Sequence, residues 1–229
     1  MNRIIYSLIG LVILTSTRMV VAQVPNEALA NQIIAARQKN AAMMKQYNWN
    51  TRTEVIEKGD VKDTRVELVS YGPDGELQRS LITDQCAPLP GGLFRHAAAE
   101  NKKKEMEKYV KGLAKLLEQY TMSSSGAVIN FISAANMQSA QAPDGSAILT
   151  LTGNNVLNPG DTFSLTVNPA NFQTRRVQIS TTFEGDSVNL SATFKTMKSG
   201  LTHMQFADVE VPAKQIVLQI HNFDYVSND

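Results

Sequence analysis

The sequence predicts an α+β protein, an antiparallel β-sheet covered on one face by an N-terminal helix and central helices. Three observations lead there. Residues 26–47 and 97–120 carry apolar side chains at helical spacing. From Ala147 onward, apolar and polar residues alternate between short turns. The alternating strands share one register, with apolar side chains on one face and polar ones on the other, so the apolar face needs a cover.

Asn2-Arg3, the apolar run Ile4–Leu14 and the small-residue pattern Val20-Val21-Ala22 have the order of a secretory signal peptide. The run is well short of the ~20 apolar residues of a spanning helix. Arg18 interrupts any extension, and no lipidation cysteine follows. We therefore expect a leader at 1–22, a single domain at 23–229, a periplasmic location and no transmembrane segment in the mature protein. Loss of the leader removes Arg3 and Arg18 and no acid, which turns one excess positive charge into one excess negative charge. That leaves no global basic field for nucleic acid. With Cys86 the sole cysteine, no intrachain disulfide can form and the core must supply the stability.

Asn26 suits a helix cap, and Leu29, Ile33, Ala36, Met43 and Tyr47 recur along one helical stripe. A strand follows with Trp49, Thr51, Thr53 and Val55 on one face and Asn50, Arg52 and Glu54 on the other. Lys58-Gly59-Asp60 turns the chain, and Thr64, Val66 and Leu68 continue the face that holds Trp49. Gly72-Pro73-Asp74-Gly75 turns it again into Leu77–Ile82. The loop CAPLPGG precedes the second long helix, whose stripe is Met106, Tyr109, Val110, Leu113, Leu116, Leu117 and Tyr120. Its lysines, mixed with glutamates, read as a solvated face. A shorter helix is predicted over 126–138, through Val128, Phe131, Ile132 and Ala135.

The C-terminal strands allow a register. Pairing 177–183 with 188–196 about Glu184-Gly185-Asp186 sets Val177 opposite Phe194, Ile179 opposite Ala192 and Phe183 opposite Val188. The Lys198-Ser199-Gly200 turn brings Met204 to Phe194 and Phe206 to Ala192. The turn at Val211-Pro212-Ala213 brings Met204 to Ile220 and Phe206 to Leu218. The opposite, polar face collects Gln178, Ser191, Thr193, Lys195, His203, Gln205, Gln219 and His221.

Catalytic motifs are scarce: no phosphate loop, dinucleotide fingerprint, nucleophile elbow or helical two-histidine zinc motif occurs. We expect no cofactor and no catalytic residue. Cys86 sits in a loop-like context with no apparent partner. His203 and His221, opposite each other in this register, could hold a divalent metal. Two solvated histidines without a third ligand are the plainer reading.

The stretch LTVNPANFQTRRVQIS (Leu165–Ser180) alternates, breaks at Asn168-Pro169, and alternates again. Asn168 and Pro169 suit the first two positions of a type I turn. This hairpin, followed by TTFEGDSVNLSATFKTM, resembles the bacterial outer-membrane lipoprotein carriers, the LolA/LolB-like family. The order of N-terminal helix, early strands, central helices and strand meander is similar too. The resemblance implies a curved sheet forming an incomplete barrel, with helices over an apolar concavity that receives acyl chains.

The combined reading is a non-enzymatic, exported protein that binds or carries an apolar small molecule, a lipid or a lipoprotein acyl chain, with an envelope protein as a further partner. Expected apolar wall residues are Trp49, Val66, Leu68, Ile179, Leu190, Phe194, Met204, Phe206, Leu218 and Ile220. One alternative is a structural or interaction protein of the envelope whose apolar face is closed core. The other is a metal-dependent envelope enzyme using His203 and His221. A cavity of several hundred Å³ separates the first alternative from a carrier. Cleavage between Ala22 and Gln23 is expected; N-terminal sequencing of the exported protein that still reads Met1 would refute it.

Overall fold

A computed structural model describes residues 26–86 and 93–228, excluding the side chains of Cys86 and residues 93–99. The expected leader, the Ala87–Gly92 loop and the Cys86 side chain lie outside these described residues. Among them, three helices and ten strands follow in order: α1 (Asn26–Met44), β1 (Tyr47–Glu57), β2 (Asp60–Tyr71), β3 (Leu77–Cys86), α2 (Leu93–Gln119), α3 (Ser125–Ala134), β4 (Asn136–Gln141), β5 (Ala147–Asn154), β6 (Thr162–Val167), β7 (Thr174–Phe183), β8 (Asp186–Thr196), β9 (Thr202–Val211) and β10 (Ile216–Ser227). No described helix is long and apolar enough to cross a membrane.

All ten strands join one curved antiparallel sheet in the order β3-β2-β1-β10-β9-β8-β7-β6-β5-β4. β3 and β4 are its two edges, so the barrel is incomplete. The expected fold class is the observed one. The meander extends well beyond four strands, because β1 pairs along most of β10 and joins the early strands to the late ones.

Two tight turns set much of the register. Lys58-Gly59 and Glu184-Gly185 each have positive φ at both residues, at 55° and 85° and at 52° and 87°. This is the two-residue turn whose twist matches that of paired strands. Because Glu184-Gly185 is the whole turn, Phe183 pairs with Asp186, Val177 with Ala192 and Ile179 with Leu190. The predicted pairing is therefore displaced by two residues. A two-residue slip preserves the faces, so the apolar side of β7 and β8 is as expected.

Helices cover one face in two patches. In the first, Leu29, Ala30 and Ile33 of α1 and Val128, Phe131 and Ile132 of α3 pack with Leu151, Phe163, Leu165, Val167 and Ile179. Gly153 permits this contact, since a Cβ there would come within 2.9 Å of the Phe131 ring. In the second, Tyr109 and Leu113 of α2 pack with Val188, Val209, Val211, Ile216 and Leu218. Here α2 passes so close to the sheet that a Cβ at Gly112 would meet Phe183 at 2.7 Å. The α2 stripe was legible in the sequence. Two boundaries differ from expectation. Tyr47 opens β1 instead of ending α1, and the helix expected to reach residue 138 ends at Ala134. Residues 136–141 pair with β5 instead, and that backbone pairing replaces a helical turn.

The loop between β5 and β6 is organised by one buried carboxylate. Asp161 is 2% exposed. It accepts from the backbone N–H groups of Val156 (2.6 Å), Leu157 (2.9 Å) and Asn158 (2.8 Å), and from the Tyr120 hydroxyl at 2.6 Å. The Thr181 hydroxyl on β7 in turn donates to the Tyr120 oxygen at 2.9 Å. The carboxylate thus ties the loop, the end of α2 and the sheet together. Burial alone would raise its pKa, but the Tyr120 hydroxyl and the three N–H donors hold it below the usual range.

Asp161→Ala strands these buried donors and should destabilise by about 3 kcal/mol, read as a lower urea midpoint at unchanged m. A change below about 0.5 kcal/mol would contradict that role. Because the folded pKa lies below the unfolded one, this stabilisation is present above about pH 4 and is lost as pH falls through the folded value.

Candidate functional site

Where the two helical patches part, the sheet keeps an uncovered apolar floor. Ile179, Leu190, Ala192, Phe194 and Met204 form much of it, with Phe163, Leu165 and Val177 beside them. Ala36, Arg37, Asn40, Ala41 and Met44 of α1 form one wall, and Leu117, Tyr120, Thr121 and Met122 at the end of α2 another. The cavity is partly open to solvent and measures about 410 Å³. That lies within the ~300–1,000 Å³ typical of small-molecule sites.

The Asn168-Pro169 hairpin belongs to this site. Asn168 Oδ1 accepts from Ala170 N at 2.9 Å, and its carbonyl accepts from Phe172 N at 2.7 Å. Phe172 takes a left-handed conformation (φ 57°), and Phe172, Gln173 and Thr174 line the cavity. The two arginines that follow serve the sheet surface: Arg175 reaches Asp144 and Ser146, and Arg176 reaches Ser191.

Most polar groups around the cavity are already used. The Asn40 amide donates to Thr202 O and accepts from Thr202 N, both at 2.7 Å, clamping α1 onto the start of β9. Gln173 Nε2 donates to Gly200 O at 2.9 Å, and the Thr202 hydroxyl pairs with Thr196 at 2.8 Å. Arg37 differs. Its Nη2 donates to Thr121 O, and among the described residues no carboxylate pairs with it. Burial lowers its pKa from the ordinary arginine value, and it remains a cation.

Of the ten expected wall residues, Ile179, Leu190, Phe194 and Met204 line the cavity. Leu218 lies in the core under α2. Trp49 is buried, stacked on Tyr225 (centroids 5.5 Å apart) and tilted against Tyr71 at 6.1 Å. Tyr71 lines the cavity, though Trp49 does not.

Val66 and Leu68 face the other way: they pair with Arg52 and Asn50, whereas Trp49 pairs with Val69. Phe206 also leaves the apolar face. A bulge between Thr193 and Phe194 lets Met204 pair with Phe194, yet sets Phe206 opposite Thr193 and Ala207 opposite Ala192. Phe206 is 45% exposed and stacks on His221 with ring centroids 4.2 Å apart. Ile220 pairs with Thr53 and Ala207 and is not among the residues that line the cavity. Sequence reasoning missed Arg37 as well. Its signal was there: Leu29, Ile33 and Arg37 are spaced four apart, so the arginine continues the apolar stripe.

The two histidines are not opposite each other. His203 pairs with Lys195 and His221 with Phe206. His203 is not solvated either: it is 6% exposed, with its ring 4.0 Å from that of Tyr225. Among the described residues, no group of three or more His, Cys, Asp or Glu could hold a metal ion.

No protein-family model matches the sequence, and no curated protein is similar to it in sequence. Solved structures are similar in chain course. A DUF1329 family protein from Desulfovibrio piger aligns at 10% identity and TM-score 0.44, over 90% of this chain and 94% of that one. The LolA superfamily protein NE2245 from Nitrosomonas europaea aligns at 12% and 0.34, over 90% and 95%. An outer membrane lipoprotein-sorting protein domain from Vibrio parahaemolyticus aligns at 10% and 0.38, over 87% and 93%.

Burial depresses the pKa of His203, against the opposing effect of its Nδ1–H bond to Met204 O; the Lys195 charge depresses it further. The unfolded state therefore binds the proton more readily. The stability from a neutral His203 is full above about pH 6.5 and declines as pH falls toward the folded value. Urea midpoints at about pH 8 and about pH 5 should diverge more in the wild type than in His203→Gln. Equal divergence in both would contradict this assignment.

Proposed function

We propose that the mature chain is an exported, non-enzymatic protein that binds an apolar ligand, a lipid or an acyl chain, in the cavity beneath α1. The observation that carries this reading is the space of about 410 Å³ floored by Ile179, Leu190, Phe194 and Met204. A closed structural core would fill such space, because interiors pack to the density of organic crystals. The patch under α2 is closed in that way: Leu113 is 1% exposed there, and Val188 and Val211 are 0% exposed. The open space floored by apolar side chains is thus on the α1 side, whereas the space of about 430 Å³ beside α2 is lined largely by charged residues, among them Glu57, Lys102, Glu105 and Lys214. Exchange of ligand through the open part of the cavity fits a carrier, with a partner in the envelope to receive the cargo.

Leu190→Trp tests the reading, because the larger ring would occupy the open volume. The variant should keep its circular dichroism and melt within a few degrees of wild type, at a cost below about 2 kcal/mol. Its retention of Nile red, a neutral apolar probe, should fall at least about tenfold. A wild type that binds no Nile red, or a variant that binds it equally well, would refute the proposed site.

A further inference from the structure

Arg37 is the anomaly of the cavity. It lies four residues beyond Ile33 and eight beyond Leu29, two of the α1 side chains seated in the core. The helix therefore directs it along its buried stripe, where an apolar residue would serve packing better. The side chain lines the cavity while remaining partly exposed. A guanidinium has five N–H donors, and one contact, to Thr121 O, is made by the described protein. A cation in such a place is costly unless an anion or further acceptors meet it. The neighbouring polar groups do not meet that need. Asn40 and Thr202 are bonded to each other, and Tyr120 is held by Asp161.

The floor below Arg37 is of opposite character, built of Leu, Ile, Phe and Met side chains. A charged donor fork at the rim over an apolar interior is the complement of an amphipath. We infer that the cavity takes an alkyl chain ending in an oxyanion, a carboxylate or a phosphate monoester, and that Arg37 binds the head. A guanidinium presents paired N–H donors matched to the paired oxygens of either anion. This rests on the apolar-ligand reading above and adds the chemistry of the ligand's head.

The test compares heads on one chain. Decanoate, decyl phosphate and decanol are titrated calorimetrically into the full mature protein near pH 8, where the carboxylate is ionised. Both anions should bind at least about tenfold more tightly than decanol, as a charge-assisted pair at a partly buried site implies. Arg37→Gln should bring them to the level of decanol and leave decanol itself unchanged. Arg37→Met, which keeps the apolar stem, should do the same, with thermal melts confirming that both variants fold.

Equal binding of decanol and the anions by the wild type would overturn the inference and leave the apolar site standing. So would an anion advantage that survives in both folded variants. Binding of none of the three would overturn both. If only one anion binds better than decanol, and Arg37→Gln abolishes that advantage, the head is assigned to that class.

Discussion

An open sheet of ten strands presents one long apolar face, and three helices are not enough to close it. Everything about the interior follows from how that cover is shared. α1 and α3 seal the β5–β7 side, and α2 seals the β8–β10 side. Leu117 and Leu190 touch both patches, and both line the cavity. The cavity is therefore the seam between two cores. The far wing stays uncovered, and there the exposed Leu77 and Leu81 share one face with charged pairs. On the face that holds Thr51, Glu67 pairs with Arg79 at 3.1 Å, and Arg65 and Asp84 lie 3.8 Å apart.

Two charged groups border this interior and are treated in opposite ways. Asp161 is fully enclosed, and four donors satisfy it, so it acts as a rivet between loop, helix and strand. Arg37 is half enclosed and has, among the described residues, a single carbonyl as partner. A buried ion with a complete set of partners reads as structure. One whose partners are incomplete, at the mouth of an apolar space, reads as a place for something else.

The α2 stripe, the Lys58-Gly59 turn and the apolar side of β7 and β8 were all legible, because each depends on local spacing. Even the wrong turn length at Glu184-Gly185 did little harm, since an error of two residues returns each side chain to the same face. Phe206 failed for the opposite reason. The bulge beside Phe194 adds a single residue, Gln205, to β9, and a single residue reverses every side chain beyond it. Nothing in the run His203-Met204-Gln205-Phe206 marks that extra residue. Val66 and Leu68 failed similarly. Their alternation was correct, but which of the two sets lay beside Trp49 depended on how β2 pairs with β1.

By itself, the sequence determined the order of the elements other than β4, the helical stripes, the tight turns and the alternation of the strands. These rest on interactions between residues close along the chain, where propensity and periodicity act. Tertiary structure alone decided the rest. It joined the early hairpin to the C-terminal strand through β1 and β10, and turned Phe206 outward onto His221. It buried His203 against Tyr225, left a space between the two cores, and placed Arg37 at its rim. Each of these outcomes depends on pairing and packing between distant segments. Bulges, seams and incomplete cover arise only when such segments meet, so no local pattern encodes them.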